Sequence, residues 1–176
     1  MTEEAENLPR HIYIAGDISL ATYKRVAGEL DELGDEEPVT LFLSSDGGDP
    51  DAALAIFDLL REFDNHVNIH ARGYNASAAI LVLQAADRRI ASTNSFFMLH
   101  RGTTNGGGDL SPDERMHQAK ADLERFNHVD RLIYDRLKTG RSFAQFKSLM
   151  LKSASVSAAD ALGWGLIDLI AEAKQL

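Results

Sequence analysis

Two rhythms of apolar residues alternate along this chain, one of period two and one of period three to four. His11-Ile12-Tyr13-Ile14 reads as a strand closed at Gly16, and from Ser19 the positions Leu20, Tyr23, Val26, Ala27, Leu30 and Leu33 keep helical spacing up to Gly34. Val39 to Leu43 predicts a second strand. Asp49-Pro50 supplies an N-cap and a proline at the first helical position, where a missing N–H costs nothing. The helix begun there is expected to bury Leu54, Ile56, Phe57, Leu60 and Phe63. Val67-Asn68-Ile69-His70 alternates as a strand, Ala76 to Ala86 predicts a buried helix, and Phe96 to His100 predicts another strand. Strands alternating with helices imply an α/β fold with a largely parallel sheet.

After His100 the pattern changes. Gly102 to Asp109 holds four glycines and reads as a mobile loop. Ser111-Pro112-Asp113-Glu114 is a capping box, and Met116, Ala119, Leu123, Phe126, Val129, Ile133 and Leu137 carry a helix to Thr139-Gly140. About 27 residues at 1.5 Å each make roughly 40 Å, more than a domain of this size accommodates. The apolar stripe of that helix is therefore expected to pack on neighbouring subunits in a closed ring or double ring. Ser142 caps a further helix, Ser157-Ala158-Ala159-Asp160 starts a short one ending at Gly163, and Leu166 to Ile170 is a closing strand. With no linker or repeat, residues 1–176 read as one domain with a flexible start over 1–10 and a loop and long helix over 101–139.

Composition narrows the classes. The 176 residues are 44% hydrophobic and 26% charged, as in a soluble globular chain. A net charge of −9 repels phosphate backbones, which argues against nucleic acid as a partner. Cysteine is absent, excluding disulfides, thiolate metal sites and a cysteine nucleophile. The acidic start Met1-Thr2-Glu3-Glu4 lacks the apolar core of a signal peptide, and no apolar run approaches the ~18 residues of a membrane span. A cytoplasmic protein without membrane contact is expected.

Three segments can carry chemistry. Gly47-Gly48, between a strand and a helix, is either a tight turn or a backbone N–H freed to bind an oxyanion. It matches neither a dinucleotide fingerprint nor a phosphate loop. Ser77, at the first turn of the buried helix, is either a helix-starting serine or a nucleophile, with the N–H of Ala78 as a second oxyanion donor. His100 ends an apolar strand and is either a structural histidine or a base. His117 and His128 fall on the long helix and read as solvated; His66 and His70 flank a strand. No His, Asp or Glu spacing has metal-ligand logic, so neither metal nor organic cofactor is expected.

Ser44-Ser45-Asp46-Gly47-Gly48, Ala53 to Asp58, Gly73 to Ala79, Met98-Leu99-His100 and Gly163-Trp164-Gly165-Leu166-Ile167-Asp168 together resemble the ClpP family of self-compartmentalised serine peptidases, in order and across roughly Ile12 to Ile170. The resemblance implies a ClpP/crotonase-type fold of stacked βαβ turns with a protruding handle helix, here the helix from Ser111. It implies Ser77 as nucleophile, His100 as general base, and the N–H groups of Gly48 and Ala78 as oxyanion hole. It further implies peptide or unfolded-protein substrates and a ring-shaped homo-oligomer, with an ATPase partner left open.

The chain departs from the family at three places. The triad aspartate, four residues before a helix-capping serine, is replaced by Ser153. Asp122 and Asp130 are the carboxylates to consider in its place, and Lys152 is an alternative base. Only ten residues precede the first strand, a layout closer to the short phage-type branch. Ser45-Asp46 replaces an Asn-Ser-Pro run, and the loop after His100 is long and glycine-rich. A slow serine endopeptidase is the expectation. A catalytically inactive subunit assembling with an active paralogue and a crotonase-like acyl-CoA enzyme are the rivals.

Overall fold

A computed structural model describes residues 10–102 and 109–172. The expected flexible start, most of the glycine-rich loop and the last four residues lie outside them. Strand β1 (His11–Ala15) leads into α1 (Leu20–Leu33), β2 (Val39–Ser45), α2 (Pro50–Glu62), β3 (Val67–Ala76), α3 (Ala78–Gln84), β4 (Arg88–Ser92) and β5 (Phe96–Leu99). Then follow α4 (Pro112–Arg136), α5 (Phe143–Leu151), β6 (Ala154–Ser157), α6 (Ala158–Gly163) and β7 (Leu169–Ala171). The sheet runs β1-β2-β3-β4-β7, all parallel, while β5 lies parallel to the far end of β3 and pairs antiparallel with β6. This is the α/β architecture that the alternation predicts.

Local chemistry explains most boundaries. The Ser19 hydroxyl accepts from the Thr22 N–H at the start of α1, and Gly34 closes that helix at φ 67°. Asp49 Oδ1 accepts from the N–H groups of Asp51 and Ala52, with Pro50 behind it. Ser111, Ser142 and Ser157 each form a reciprocal capping box with the third residue of the helix they start. The core lies between the sheet and the helices, where Ile12, Ile14, Leu41, Leu43, Val67 and Ile69 alternate inward with exposures of 1% or less.

Several expectations need correction. Leu54 and Phe63 are only partly buried: both pack against the edge of the core, and Leu54 also lines a cleft. The helix expected from Ala76 begins at Ala78, since β3 continues to Ala76 and the chain turns at Ser77. The strand expected over Leu166 to Ile170 pairs only at Leu169–Ala171; Leu166 and Ile167 are core residues of the approach to it. Strands β4 and β6 are additional elements. The handle expectation matches α4 in extent: it has 25 residues, and its first turns are exposed on every side, Met116 to 66%.

Candidate active site

Two glycines and a serine determine the geometry at the ends of β2 and β3. Gly47 and Gly48 hold φ of 104° and 142°. Gly48 forms a bridge with Ile18: the Ile18 N–H donates to Gly47 O (2.8 Å) and the Asp49 N–H to Ile18 O (2.8 Å). A β-carbon on Gly48 would lie 2.3 Å from Ile18 O, so no side chain fits. The bridge uses the Gly47 carbonyl and the Asp49 N–H on either side of Gly48, the Gly47 N–H donates to Ser45 Oγ (3.0 Å), and the Gly48 N–H is left without an acceptor among the described residues.

Ser77 occupies the N-cap position of α3 at φ 56°, ψ −123°, a conformation that L-residues adopt at a cost. Its N–H donates to Met98 O on β5 (3.0 Å), which fixes the turn. Its hydroxyl makes no capping hydrogen bond, in contrast to Ser19, Ser111, Ser142 and Ser157. Ser77 thus starts its helix without the side-chain bond that the other four capping serines make. The Ala78 N–H, first in α3, likewise has no acceptor among the described residues.

His100 follows β5 and is half-buried. It lines one cleft of about 540 Å³ together with Ser77, Gly48 and Ala78. The apolar wall of that cleft comes from Leu54 on α2, Leu81 on α3, Phe126, Val129 and Ile133 on α4, and Met150 on α5. An ion pair between Arg125 and Asp51 joins α4 to the start of α2 at its rim. Four of the five singled-out residues thus meet around one space large enough for a side chain and its flanking peptide.

The fifth is placed differently. Leu99 pairs with Ala154, so Ser153 is the next position of the neighbouring strand, beside the end of β5 from which His100 emerges. Yet Ser153 is exposed, sits at φ 50° and is not among the residues lining the cleft. Of the substitute carboxylates, Asp122 lines the cleft and accepts from Gln118 Nε2 (3.0 Å), whereas Asp130 is buried against Arg101. Lys152 is exposed.

His117 and His128 are exposed on α4. His70 shares a 3.0 Å hydrogen bond with Ser92 Oγ, and burial followed by the charge of Arg72 lowers its pKa. Among the described residues no group of three or more His, Asp or Glu is arranged to hold a metal ion. The cleft wall corrects an expectation: Phe126 and Ile133, expected with Met116 and Leu123 to pack on neighbouring subunits, face the cleft of their own chain, and Ile133 is 2% exposed there. The signal for this wall was present in the spacing Phe126, Val129, Ile133, which marks one face of α4.

The fold agrees with that of a solved ClpP1 from Listeria monocytogenes, an asparagine-to-aspartate variant, with a TM-score of 0.82 and 25% identity over 94% of this chain and 93% of that one. A ClpP-type peptidase fold is thereby defined. The chain belongs to the Clp protease family, whose model matches residues 5–174. It is 27% identical to the ATP-dependent Clp protease proteolytic subunit 2 of Treponema denticola over 94% of this chain and 84% of the relative. It is 28% identical to the ATP-dependent Clp protease proteolytic subunit of Pleurastrum terricola, covering 94% and 85%. These relatives do not favour a crotonase-like acyl-CoA role. Among the described residues no helix is long and apolar enough to cross a membrane.

Proposed function

We propose that the chain is a serine endopeptidase subunit, working in the cytoplasm as a single-domain protomer of a ring-shaped homo-oligomer. Ser77 attacks the carbonyl carbon of a peptide bond, and His100 takes the hydroxyl proton and returns it to the leaving amine. The N–H groups of Gly48 and Ala78 hold the oxyanion, with the positive end of α3 behind them. Peptide and unfolded protein are the substrates, and no metal or organic cofactor takes part. The observation that carries this reading is the meeting in one cleft of an uncapped, strained serine, a histidine and two N–H groups without acceptors. Exposure of Ser153, which supplies no charge to the imidazole, favours slow turnover and supports a second reading, an inactive subunit kept for assembly with an active paralogue.

A serine-reactive fluorophosphonate probe separates the two. Stoichiometric labelling that maps to Ser77 and disappears in Ser77→Ala supports the peptidase. An unlabelled, folded, assembled wild type supports the inactive subunit. Assembly has its own support in Met116 and Leu123, apolar and exposed on α4. A monomeric mass at micromolar concentration would count against the ring.

A further inference from the structure

We propose that Arg101 is a positioning residue for His100, acting through a buried clamp onto α4; the inference rests on the catalytic reading of His100. Arg101 directly follows His100. Its Nε and Nη2 donate to Asp130 Oδ2 at 2.9 and 2.8 Å, and Nη2 also donates to Asn127 Oδ1 at 2.5 Å. Lys147 Nζ on α5 donates to the same Asn127 oxygen at 3.2 Å. The Asp130 side chain is 3% exposed and that of Arg101 17%, so the pair is shielded from the competition with water that makes surface ion pairs weak.

A guanidinium bound through two N–H groups to a buried carboxylate has few orientations open to it. The Cα of His100 is one peptide unit away, so the clamp fixes where the imidazole begins and which way it leaves the strand. The clamp also joins the three elements around the histidine: β5, which carries it; α4, which walls the cleft; and α5, which continues into β6 beside it. In a triad the acid orients the base. Ser153 provides no such charge, and the Arg101–Asp130 pair supplies orientation through the backbone instead.

A purely structural buried ion pair can be exchanged for apolar residues of similar volume at little cost, whereas a positioning pair cannot. The experiment therefore uses Arg101→Met combined with Asp130→Leu, and separately Arg101→Lys, which keeps the charge and loses the two-pronged geometry. Three quantities are read in the assembled protein: the maximal rate of fluorophosphonate labelling, its affinity, and the imidazole resonances of His100, identified against His100→Ala. The expected result is a ten- to hundredfold lower maximal rate in the double variant with affinity unchanged, partial recovery with lysine, and shifted His100 resonances. An unchanged rate and unchanged resonances in the double variant overturn the proposal. Should the double variant fail to fold, an Arg101→Lys protein with the rate and resonances of the wild type overturns it. A wild type that takes no label refutes the peptidase reading alone, and the His100 resonances then decide for or against the clamp.

Discussion

Gly47 lies against Ser77 so closely that a β-carbon added to it would sit 2.6 Å from the serine Cβ and 2.8 Å from Ala76 O. The turn that presents the Gly48 N–H and the turn that presents the serine hydroxyl are in backbone contact. Their spacing is set by the absence of a side chain, with no intervening group to adjust it.

Gly47→Ala is therefore expected to be costly twice, through the contact and through φ of 104°. A loss of about 2–5 kcal/mol in unfolding free energy is expected, combining overpacking with backbone strain. Urea titration checks it. Probe labelling of whatever remains folded should fall by at least tenfold, because the two turns are pushed apart; labelling at the wild-type rate would dissociate the contact from the chemistry.

Ser77→Gly should raise stability while removing the hydroxyl. The φ of 56°, ψ −123° that strains a serine suits glycine, and no capping bond is lost. A gain of about 1 kcal/mol is expected from relieved strain, against a smaller gain or none for Ser77→Ala, which keeps the β-carbon. Thermal melting of the two variants tests the ordering. A less stable glycine variant would show that the turn is not strained.

Ser153→Asp restores a carboxylate at the position beside the end of β5, and aspartate tolerates the φ of 50° found there. Peptidase turnover should rise. The upper bound is about 10⁴, or roughly 5.5 kcal/mol of transition-state stabilisation, if the new carboxylate reaches the imidazole. A fall in turnover would mean that the site is arranged around an uncharged residue.

Acid should weaken the fold through Asp168. Burial pushes its carboxyl up, but hydrogen bonds from Arg89 and Lys138 outweigh that and hold it well below the usual carboxylate range. Asp87 is shifted the same way, burial being outweighed by the Val67 N–H and Arg61. A depressed native pKa contributes stability above the unfolded value of about 4, and that contribution is lost as pH falls further. Denaturation midpoints should therefore be flat near neutrality and decline below about pH 4. Asp168→Asn should flatten the acid limb and cost about 3–5 kcal/mol at neutral pH, because it leaves Arg89, 1% exposed, without its counter-charge.

The parts of this fold that announce themselves do so through local chemistry. Ser19, Asp49-Pro50, the Ser111 box and Gly34 each mark a helix end in the letters alone, and each acts as its residue type suggests. Strand β4 was hidden because it opens with Arg88-Arg89, charges that deny a strand until Asp168, 79 residues on, accepts from the second of them. Strand β6 was hidden because Ala154-Ser155-Val156-Ser157 is small and polar, and only its pairing with β5 makes it a strand. At the site, Gly47-Gly48, Ser77 and His100 were visible as residues. The positive φ of Ser77, the exposure of Ser153 and the clamp on Arg101 were not, since each depends on which strands and helices meet.

The hydrogen bond from the Ser77 N–H to Met98 O reaches further than the turn it closes. It ties the serine to the strand that delivers His100 two residues later, so residues 23 apart in the chain are one peptide contact apart in space. Sliding one against the other would break the sheet between them. Any rearrangement that parts the backbone of the serine from that of the histidine must therefore also loosen β5 from its partners β3 and β6. Exchange of the Ser77 amide hydrogen and of the β5 amides should then rise together, as one cooperative opening.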